Sequence, residues 1–253
     1  MQGPIVHTAF PQCVNRRGGV NQTFFPKLRR MVHSLTCNVF GEQTYLIDHG
    51  NGEATMVDPG VSSPQEREAF QALCKQLDVQ PVQVLLTHGH LDHVMGCQWM
   101  KDTYGLLPRM HPLDEETYRR GPIAAQMYGV SMDPLPDPVL DLVPGEAIAC
   151  GGLVLDVRFV PGHAPGHVAF VNHDDGWVLG GDVLFQGSIG RTDLPGSMPR
   201  DLRESIEREM YTLPDDMVVW PGHGGPTTIG AEKGSNPFVN ASGTGLLQRE
   251  AEG

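Results

Sequence analysis

The stretch Thr87-His88-Gly89-His90-Leu91-Asp92-His93 carries three imidazoles and a carboxylate within six residues, directly after an apolar run at residues 84–86. Such a cluster is costly in a protein core, because each buried imidazole or carboxylate needs a partner. Imidazole and carboxylate are ligands that suit zinc or non-haem iron. The stretch therefore predicts a metal site at the end of a strand; a solvated His-rich loop is the alternative.

The same construction occurs three more times along the chain. Each time, an apolar run predicted as a strand is followed by Gly or Pro and then by one metal-binding side chain. Glycine beside the ligand allows a sharp turn and a close approach of the backbone. Seven ligands exceed one tetrahedral site but fit two metals that share a bridging carboxylate. The candidates are His88, His90, Asp92, His93, His163, Asp182 and His223.

Hydrophobic periodicity predicts a mixture of strands and helices. A helix is expected to start with Ser63 as N-cap and Pro64 in its first turn, and to run through Leu77. Further helices are predicted at 94–104, 113–120 and 200–211, and strands at 44–47, 54–57, 82–87, 153–160, 168–171, 177–179 and 217–220. This pattern is consistent with an α/β (α+β) protein in which sheets pack on each other under helices.

The motif Thr-His-x-His-x-Asp-His, followed by Pro-Gly-His, Gly-Asp and Pro-Gly-His, resembles the metallo-β-lactamase superfamily, particularly its short glyoxalase II-like (hydroxyacylglutathione hydrolase-like) members. The resemblance extends from Met31 to about Phe238. It implies a four-layer αββα sandwich with two divalent metal ions at one edge of the sheets, zinc being favoured over iron or manganese. By the same resemblance, a first metal is held by His88, His90 and His163, a second by Asp92, His93 and His223, and Asp182 bridges them.

The resemblance also implies an activity. We expect a metal-dependent hydrolase in which a metal-bound hydroxide attacks a thioester such as S-lactoylglutathione, with Asp92 as the catalytic residue that orients it. About thirty residues follow His223. They are too few for the C-terminal helical domain that binds glutathione in glyoxalase II, so glutathione dependence stays open. The alternatives are a persulfide dioxygenase with a single iron and a non-enzymatic metal-binding module on the same scaffold. A true β-lactamase is disfavoured, because no export signal opens the chain.

Three residues near the motifs have two interpretations each. Arg191 is a candidate clamp for a substrate carboxylate, or else it forms a salt bridge with Asp193. Asp58 either orients a ligand imidazole or makes an Asx turn before Pro59. His167 does not match a ligand of the family and is expected to support the site from outside or to be structural.

Composition limits the remaining possibilities. A net charge of −12 disfavours a nucleic-acid partner, and no apolar run is long enough to span a membrane. Five scattered cysteines favour free thiols in the cytoplasm. Residues 1–30 contain five basic residues and no acidic one, and are predicted to be a weakly structured extension; 31–238 form the metal-binding domain and 239–253 a tail. The oligomeric state is left open.

Overall fold

The computed structural model describes residues 6–7 and 32–249. In this part of the chain the helices are α1 (Pro64–Leu77), α2 (Leu91–Val94), α3 (Cys97–Tyr104), α4 (Glu115–Arg119), α5 (Gly121–Tyr128), α6 (Pro199–Ser205), α7 (Ile229–Ser235) and α8 (Leu246–Arg249). The strands are β1 (Val6–His7), β2 (Val32–Cys37), β3 (Glu42–Asp48), β4 (Glu53–Val57), β5 (Gln80–Leu85), β6 (Pro108–Arg109), β7 (Ala147–Cys150), β8 (Leu153–Phe159), β9 (Val168–Asn172), β10 (Trp177–Gly181), β11 (Leu184–Phe185), β12 (Ser188–Ile189), β13 (Val218–Pro221) and β14 (Thr227–Thr228).

Two six-stranded sheets form the centre of the molecule. The first has the order β1-β2-β3-β4-β5-β6 and the second the order β14-β13-β10-β9-β8-β7, while β11 and β12 make a separate two-stranded ribbon. Residues from both sheets share one buried cluster, which includes Tyr45, Leu85, Phe170 and Leu179. The hydroxyl of Tyr45 on β3 also donates to the carbonyl of Pro221 on β13 at 2.6 Å. The two sheets therefore pack face to face.

Helices cover the outer face of each sheet. Phe70 of α1 and Met100 of α3 pack against the first sheet, and Leu202 of α6 and Ile229 of α7 pack against the second. The layers follow the order helix, sheet, sheet, helix, which confirms the αββα fold expected from the sequence. Removing these apolar side chains from water is the main driving force for such an arrangement.

Strand direction decides where the ligand loops lie. Strands β4 and β5 are parallel, as are β10 and β13. Strand β8 is antiparallel to β9, which is antiparallel to β10, so that β8 and β10 run the same way. Three strands of the second sheet thus present their carboxyl ends at a common edge, and the loop after β5 meets them there.

The capping prediction for α1 is confirmed in detail. The Ser63 hydroxyl accepts the Glu66 N–H, the Glu66 side chain accepts the Ser63 N–H, and Pro64 occupies the first turn. This reciprocal pairing satisfies backbone donors that a helix start otherwise leaves unpaired.

Three predicted helices differ from the structure. The helix predicted at 94–104 is two helices, α2 and α3, separated at Gly96, which packs so tightly on Pro59 and Val61 that it leaves no room for a Cβ. The segment 113–120 is a 3₁₀ turn at Pro112–Asp114 followed by α4. The segment 200–211 is α6 followed by a π-helical turn at Ile206–Met210. Among the elements that were not predicted are helices α5, α7 and α8 and strands β2, β6, β7, β11, β12 and β14.

The ends of the chain are described in part. The prediction for residues 1–30 lies outside the described residues except for β1, which pairs antiparallel with β2. Within the predicted tail, Val239 is buried in the core of the second sheet and its carbonyl accepts the Tyr211 hydroxyl at 2.7 Å. Of the helices in residues 32–249, none combines the length and apolarity of a membrane span.

Candidate metal centre

The seven candidate ligands meet at one edge of the sandwich. The loop after β5 supplies His88, His90, Asp92 and His93, and the loops after β8, β10 and β13 supply His163, Asp182 and His223. The ligand atoms of these residues form two groups, each within 4.8 Å: one contains His88, His90 and His163, the other Asp92, His93 and His223. Asp58 makes a third such group with His88 and His93. The first two groups are the sets that the resemblance implied, although the assignment of each side chain as a ligand stays a prediction.

Asp182 lies between the two groups. Its Oδ2 is 3.4 Å from His163 Nε2 and 3.6 Å from His223 Nε2. Its Oδ1 is 3.4 Å from His93 Nε2. Oδ2 of this carboxylate therefore contacts an imidazole of each group, and Oδ1 contacts a second imidazole of the second group.

The residues present fit a pair of divalent cations. Within the described chain, His88 Nε2, His93 Nε2 and Asp182 Oδ1 are buried polar atoms without a hydrogen-bond partner. Such orphaned atoms are rare in folded proteins and require a further partner, such as a metal ion. Imidazole nitrogens and carboxylate oxygens are ligands for zinc and iron. The donor set and its unpaired atoms together indicate a metal centre.

Asp58 orients two of these imidazoles. Its carboxylate accepts the Thr87 N–H and hydroxyl, both at 2.7 Å, and the His93 Nδ1–H at 3.1 Å. Because the Thr87 hydroxyl donates to Asp58, its oxygen is free to accept from His88 Nδ1, 3.0 Å away. Both imidazoles are thereby held with Nε2 toward the centre. This contact favours the orienting interpretation of Asp58.

Burial and neighbouring charges shift the pKa values of the candidate ligands in different directions. Burial lowers the pKa of His88 well below its usual range and the pKa of His90 to about 3. Burial alone would also lower the pKa of His93, but the carboxylates of Asp92 and Asp182 outweigh it and raise that pKa. Burial opposes ionisation of Asp182, but the charge of His93 outweighs it and holds the Asp182 pKa below its usual range. Neutral imidazoles and ionised carboxylates are the forms that bind metal, so His88, His90 and Asp182 favour the binding form, whereas His93 must release a proton to bind a cation.

His167 and Arg191 border the centre without joining either group of ligand atoms. His167 Nε2 accepts the Asp182 N–H at 3.0 Å, and its ring stacks on that of His88 with centroids 4.6 Å apart. The Arg191 carbonyl accepts from His163 Nδ1 at 2.8 Å. Its guanidinium pairs with the Asp193 carboxylate through two contacts of 2.9 Å and is 58% exposed. The salt bridge considered for Arg191 is present.

Glu42 is a buried carboxyl group beside the site that sequence reasoning missed. This residue starts β3, is fully buried, and accepts the Thr44 hydroxyl at 2.9 Å, while its other oxygen lies 4.0 Å from His93 Nδ1. Burial raises the pKa of Glu42 well above its usual range. A polar run such as Glu42-Gln43-Thr44 is typical of an exposed strand start, so only the tertiary structure reveals this carboxyl group.

A two-sheet αββα sandwich with imidazoles and carboxylates gathered at one edge defines a class of metal-binding proteins rather than a single activity. Residues 37–223 match the family model described as the metallo-beta-lactamase superfamily, and the chain belongs to that superfamily. At this level it is a metal-dependent hydrolase.

Individual relatives differ in the activity that their names carry. The chain is 36% identical to hydroxyacylglutathione hydrolase GloC of Haemophilus influenzae, over 83% of this chain and 98% of GloC. It is similar to the crystal structure of TTHA1623 in a di-iron-bound form, with 37% identity, a TM-score of 0.74, and 81% and 99% of the two chains covered. It is also similar to the BLEG-1 B3 metallo-beta-lactamase structure, with 31% identity, a TM-score of 0.74, and 83% and 99% covered.

Gly222, which precedes His223, provides a test of the close packing at the centre. A Cβ at this position would collide with Asp182 Oδ1 and lie 2.7 Å from His93 Cε1. We expect Gly222→Ala to displace both side chains and to weaken metal binding by at least ~10-fold, the lower end of the effect of disturbing residues around a metal site. Metal content by inductively coupled plasma mass spectrometry checks this.

Gly225 is a matched control three residues away. A Cβ there meets nothing within 4 Å, so Gly225→Ala should keep the metal content of the wild type. Equal metal content in the two variants would contradict the packing that we describe.

Proposed function

We propose that this protein is a dinuclear metal-dependent thioester hydrolase with S-lactoylglutathione as the leading substrate. The observation that carries the dinuclear centre is the Asp182 carboxylate, placed between His163 of one group and His93 and His223 of the other. GloC, named a hydroxyacylglutathione hydrolase, supports the thioester class, and the di-iron form of TTHA1623 supports two metal positions. Zinc is our first choice of metal, with iron and manganese as alternatives.

The residues have separate tasks in this mechanism. His88, His90 and His163 would hold one ion, Asp92, His93 and His223 the other, and Asp182 would contact both. Bound divalent cations in such a centre supply hydroxide near neutral pH and Lewis acidity toward the acyl carbonyl oxygen. Asp92 Oδ2 lies 3.0 Å from His223 Nε2. We assign to Asp92 the task of accepting a hydrogen bond from the nucleophile and so directing it at the acyl carbon.

The surroundings of the centre suit a small acidic substrate. The Phe185 ring lies edge to face with the His223 ring, with centroids 6.2 Å apart, and places an apolar group beside a candidate ligand. The guanidinium of Arg191 is exposed, and the backbone carbonyl of the same residue contacts His163. A net charge of −12 favours a small molecule over nucleic acid or an anionic membrane. The buried thiols of Cys37, Cys74, Cys97 and Cys150 support a cytoplasmic location.

Metal analysis and substrate comparison test the proposal together. Protein purified without chelator should contain close to two ions per chain. It should hydrolyse S-lactoylglutathione with kcat/KM above about 10⁴ M⁻¹ s⁻¹, the lower end of the usual range for enzymes, and chelation should abolish the activity reversibly. A chromogenic cephalosporin and glutathione persulfide with oxygen-uptake detection serve as the competing substrates.

Each alternative function predicts a different outcome of these assays. One iron per chain with oxygen uptake would establish the dioxygenase alternative instead. Faster cephalosporin hydrolysis would favour the activity that BLEG-1 is named for. Two bound ions without turnover of any of the three substrates would leave the non-enzymatic module.

Asp182→Ala should damage both metal positions, because its carboxylate contacts both groups. We expect the loss of more than one ion per chain and a fall in hydrolysis of at least ~100-fold, the upper end of the effect of disturbing a metal site. Asp174→Ala, an exposed carboxylate in the turn before β10, is the control and should match the wild type. If Asp182→Ala keeps two ions, Asp182 is not the bridge.

Arg191→Ala tests the substrate contact. Loss of one hydrogen-bonded ion pair to a substrate carboxylate should raise KM by ~10-fold and change kcat little, in line with about 1.5–3 kcal/mol for a hydrogen bond to a charged group. Arg200 is a matched control, because its exposed guanidinium also pairs with a carboxylate, that of Glu204 at 3.0 Å. An unchanged KM in Arg191→Ala would reduce Arg191 to its salt bridge with Asp193.

A further inference from the structure

Asp114 is a buried carboxylate that is not among the candidate ligands. It ends the 3₁₀ turn Pro112–Asp114, immediately before α4, and none of its surface is exposed. A carboxylate in such a place requires hydrogen-bond donors to offset the loss of hydration. The donors that it uses belong to the metal centre.

The carboxylate of Asp114 joins two ligand-bearing loops. One oxygen, Oδ2, accepts the N–H of Gly89, which lies between His88 and His90. The other oxygen, Oδ1, accepts the N–H of Gly166, at 3.0 Å. Gly166 lies in the loop that carries His163. A single side chain thus connects the loop after β5 of the first sheet to the loop after β8 of the second.

The two glycines press directly on the segment that carries Asp114. A Cβ on Gly89 would lie 2.6 Å from the backbone nitrogen of Tyr118. A Cβ on Gly166 would lie 2.7 Å from the Cβ of Asp114. The Thr117 hydroxyl, 3.3 Å from Oδ1, donates a further hydrogen bond from α4. Gly89 and Gly166 are therefore each held against this segment both by close packing and by a hydrogen bond to Asp114.

The connection is specific to one half of the centre. His90 Nδ1 and His163 Nε2, which come from the two loops, approach each other to 2.8 Å. Asp58 holds His93 from a different direction. The loops have a second link in the backbone, where Thr87 O accepts the Val168 N–H at 2.9 Å. That link would remain after a change at Asp114, so the sheets would still meet.

We propose that Asp114 is a positioning residue that sets the distance between the imidazoles of His88 and His90 and that of His163, and thereby the affinity of the first metal position. The proposal rests on the ligand set of the proposed function. It assigns Asp114 no contact with metal or substrate.

The test compares Asp114→Asn with the wild type by titrating chelator-stripped protein with Co²⁺ and following absorbance. Asparagine has the same shape but offers only one acceptor oxygen, so one of the two backbone N–H groups faces an amide NH₂. We expect one of the two Co²⁺ binding steps to weaken by about 10–100-fold, the range for residues that support metal ligands. The other step should stay within about threefold.

Glu232→Gln is the matched control. Glu232 is also buried, and it accepts the Gly187 N–H at 2.9 Å together with side-chain donors from Thr227 and Asn236, but it connects no ligand loop. This variant should lose stability without changing either Co²⁺ affinity. Equal weakening of Co²⁺ binding in both variants would mean that any buried carboxylate matters and would overturn the proposal.

Hydrogen exchange of the metal-free protein provides a readout that does not depend on metal or activity. In Asp114→Asn the amides of Gly89 and Gly166 should exchange faster than in the wild type, whereas in Glu232→Gln only the segment around Gly187 should. If Asp114→Asn does not fold, Thr117→Val is the milder variant to use. It should weaken the same Co²⁺ binding step. Unchanged exchange at Gly166 or an unchanged Co²⁺ affinity in a folded variant would refute the positioning role. A wild type that binds no Co²⁺ would refute the ligand set and this proposal together, whatever the hydrolysis assay shows.

Discussion

The cost of burying imidazoles and carboxylates side by side governs the edge of the sandwich where the four strand ends meet. His88, His93, His163 and Asp182 are all buried there. Every such group must be paired, since an isolated buried charge or polar atom costs several kcal/mol. The protein pairs the outer nitrogen of each ring with a fixed acceptor, Thr87 for His88, Asp58 for His93 and the Arg191 carbonyl for His163. The inner nitrogens of His88 and His93 are thereby left without a hydrogen-bond partner and can face cations, while that of His163 lies 2.8 Å from His90 Nδ1.

The same constraint explains why small residues flank the ligands. Gly222 leaves the space that Asp182 and His93 fill. Gly181, directly before Asp182, has a φ of 52°, in the left-handed region that favours glycine. The backbone N–H of Asp182 then donates a hydrogen bond to His167. A larger residue at Gly222 would move the Asp182 carboxylate, which contacts both groups of ligand atoms, and one at Gly181 would press on Thr87 and His167. The candidate metal centre therefore depends on the small size of these glycines as well as on its histidines.

The sequence predicted the parts of this structure that depend on local pattern. Apolar runs followed closely by His or Asp located the four loops, three of them with Gly or Pro in between, and Ser63-Pro64 located the start of α1. It did not predict Glu42 or Asp114, because Glu42 lies in a polar run and Asp114 is the first of three consecutive acidic residues, and the partners of both are distant in sequence. Asp114 meets Gly166 across 52 residues. The break between α2 and α3 was missed for the same reason, since Gly96 is needed by its contact with Pro59 and Val61.

The candidate ligands and the residues that border them lie in different environments of the fold. The candidate ligands are fixed by buried hydrogen bonds between strand ends, and such a network tolerates little change. The surroundings of the site are exposed by contrast: Arg191 pairs with Asp193 at the surface, and Tyr128, half exposed on α5, contacts the Phe40 ring at 5.4 Å. Exposed side chains can be exchanged at little cost in stability. The relatives of this chain include proteins named as a hydroxyacylglutathione hydrolase and as a β-lactamase, and a fold that keeps the candidate ligands buried and their border exposed allows such differences.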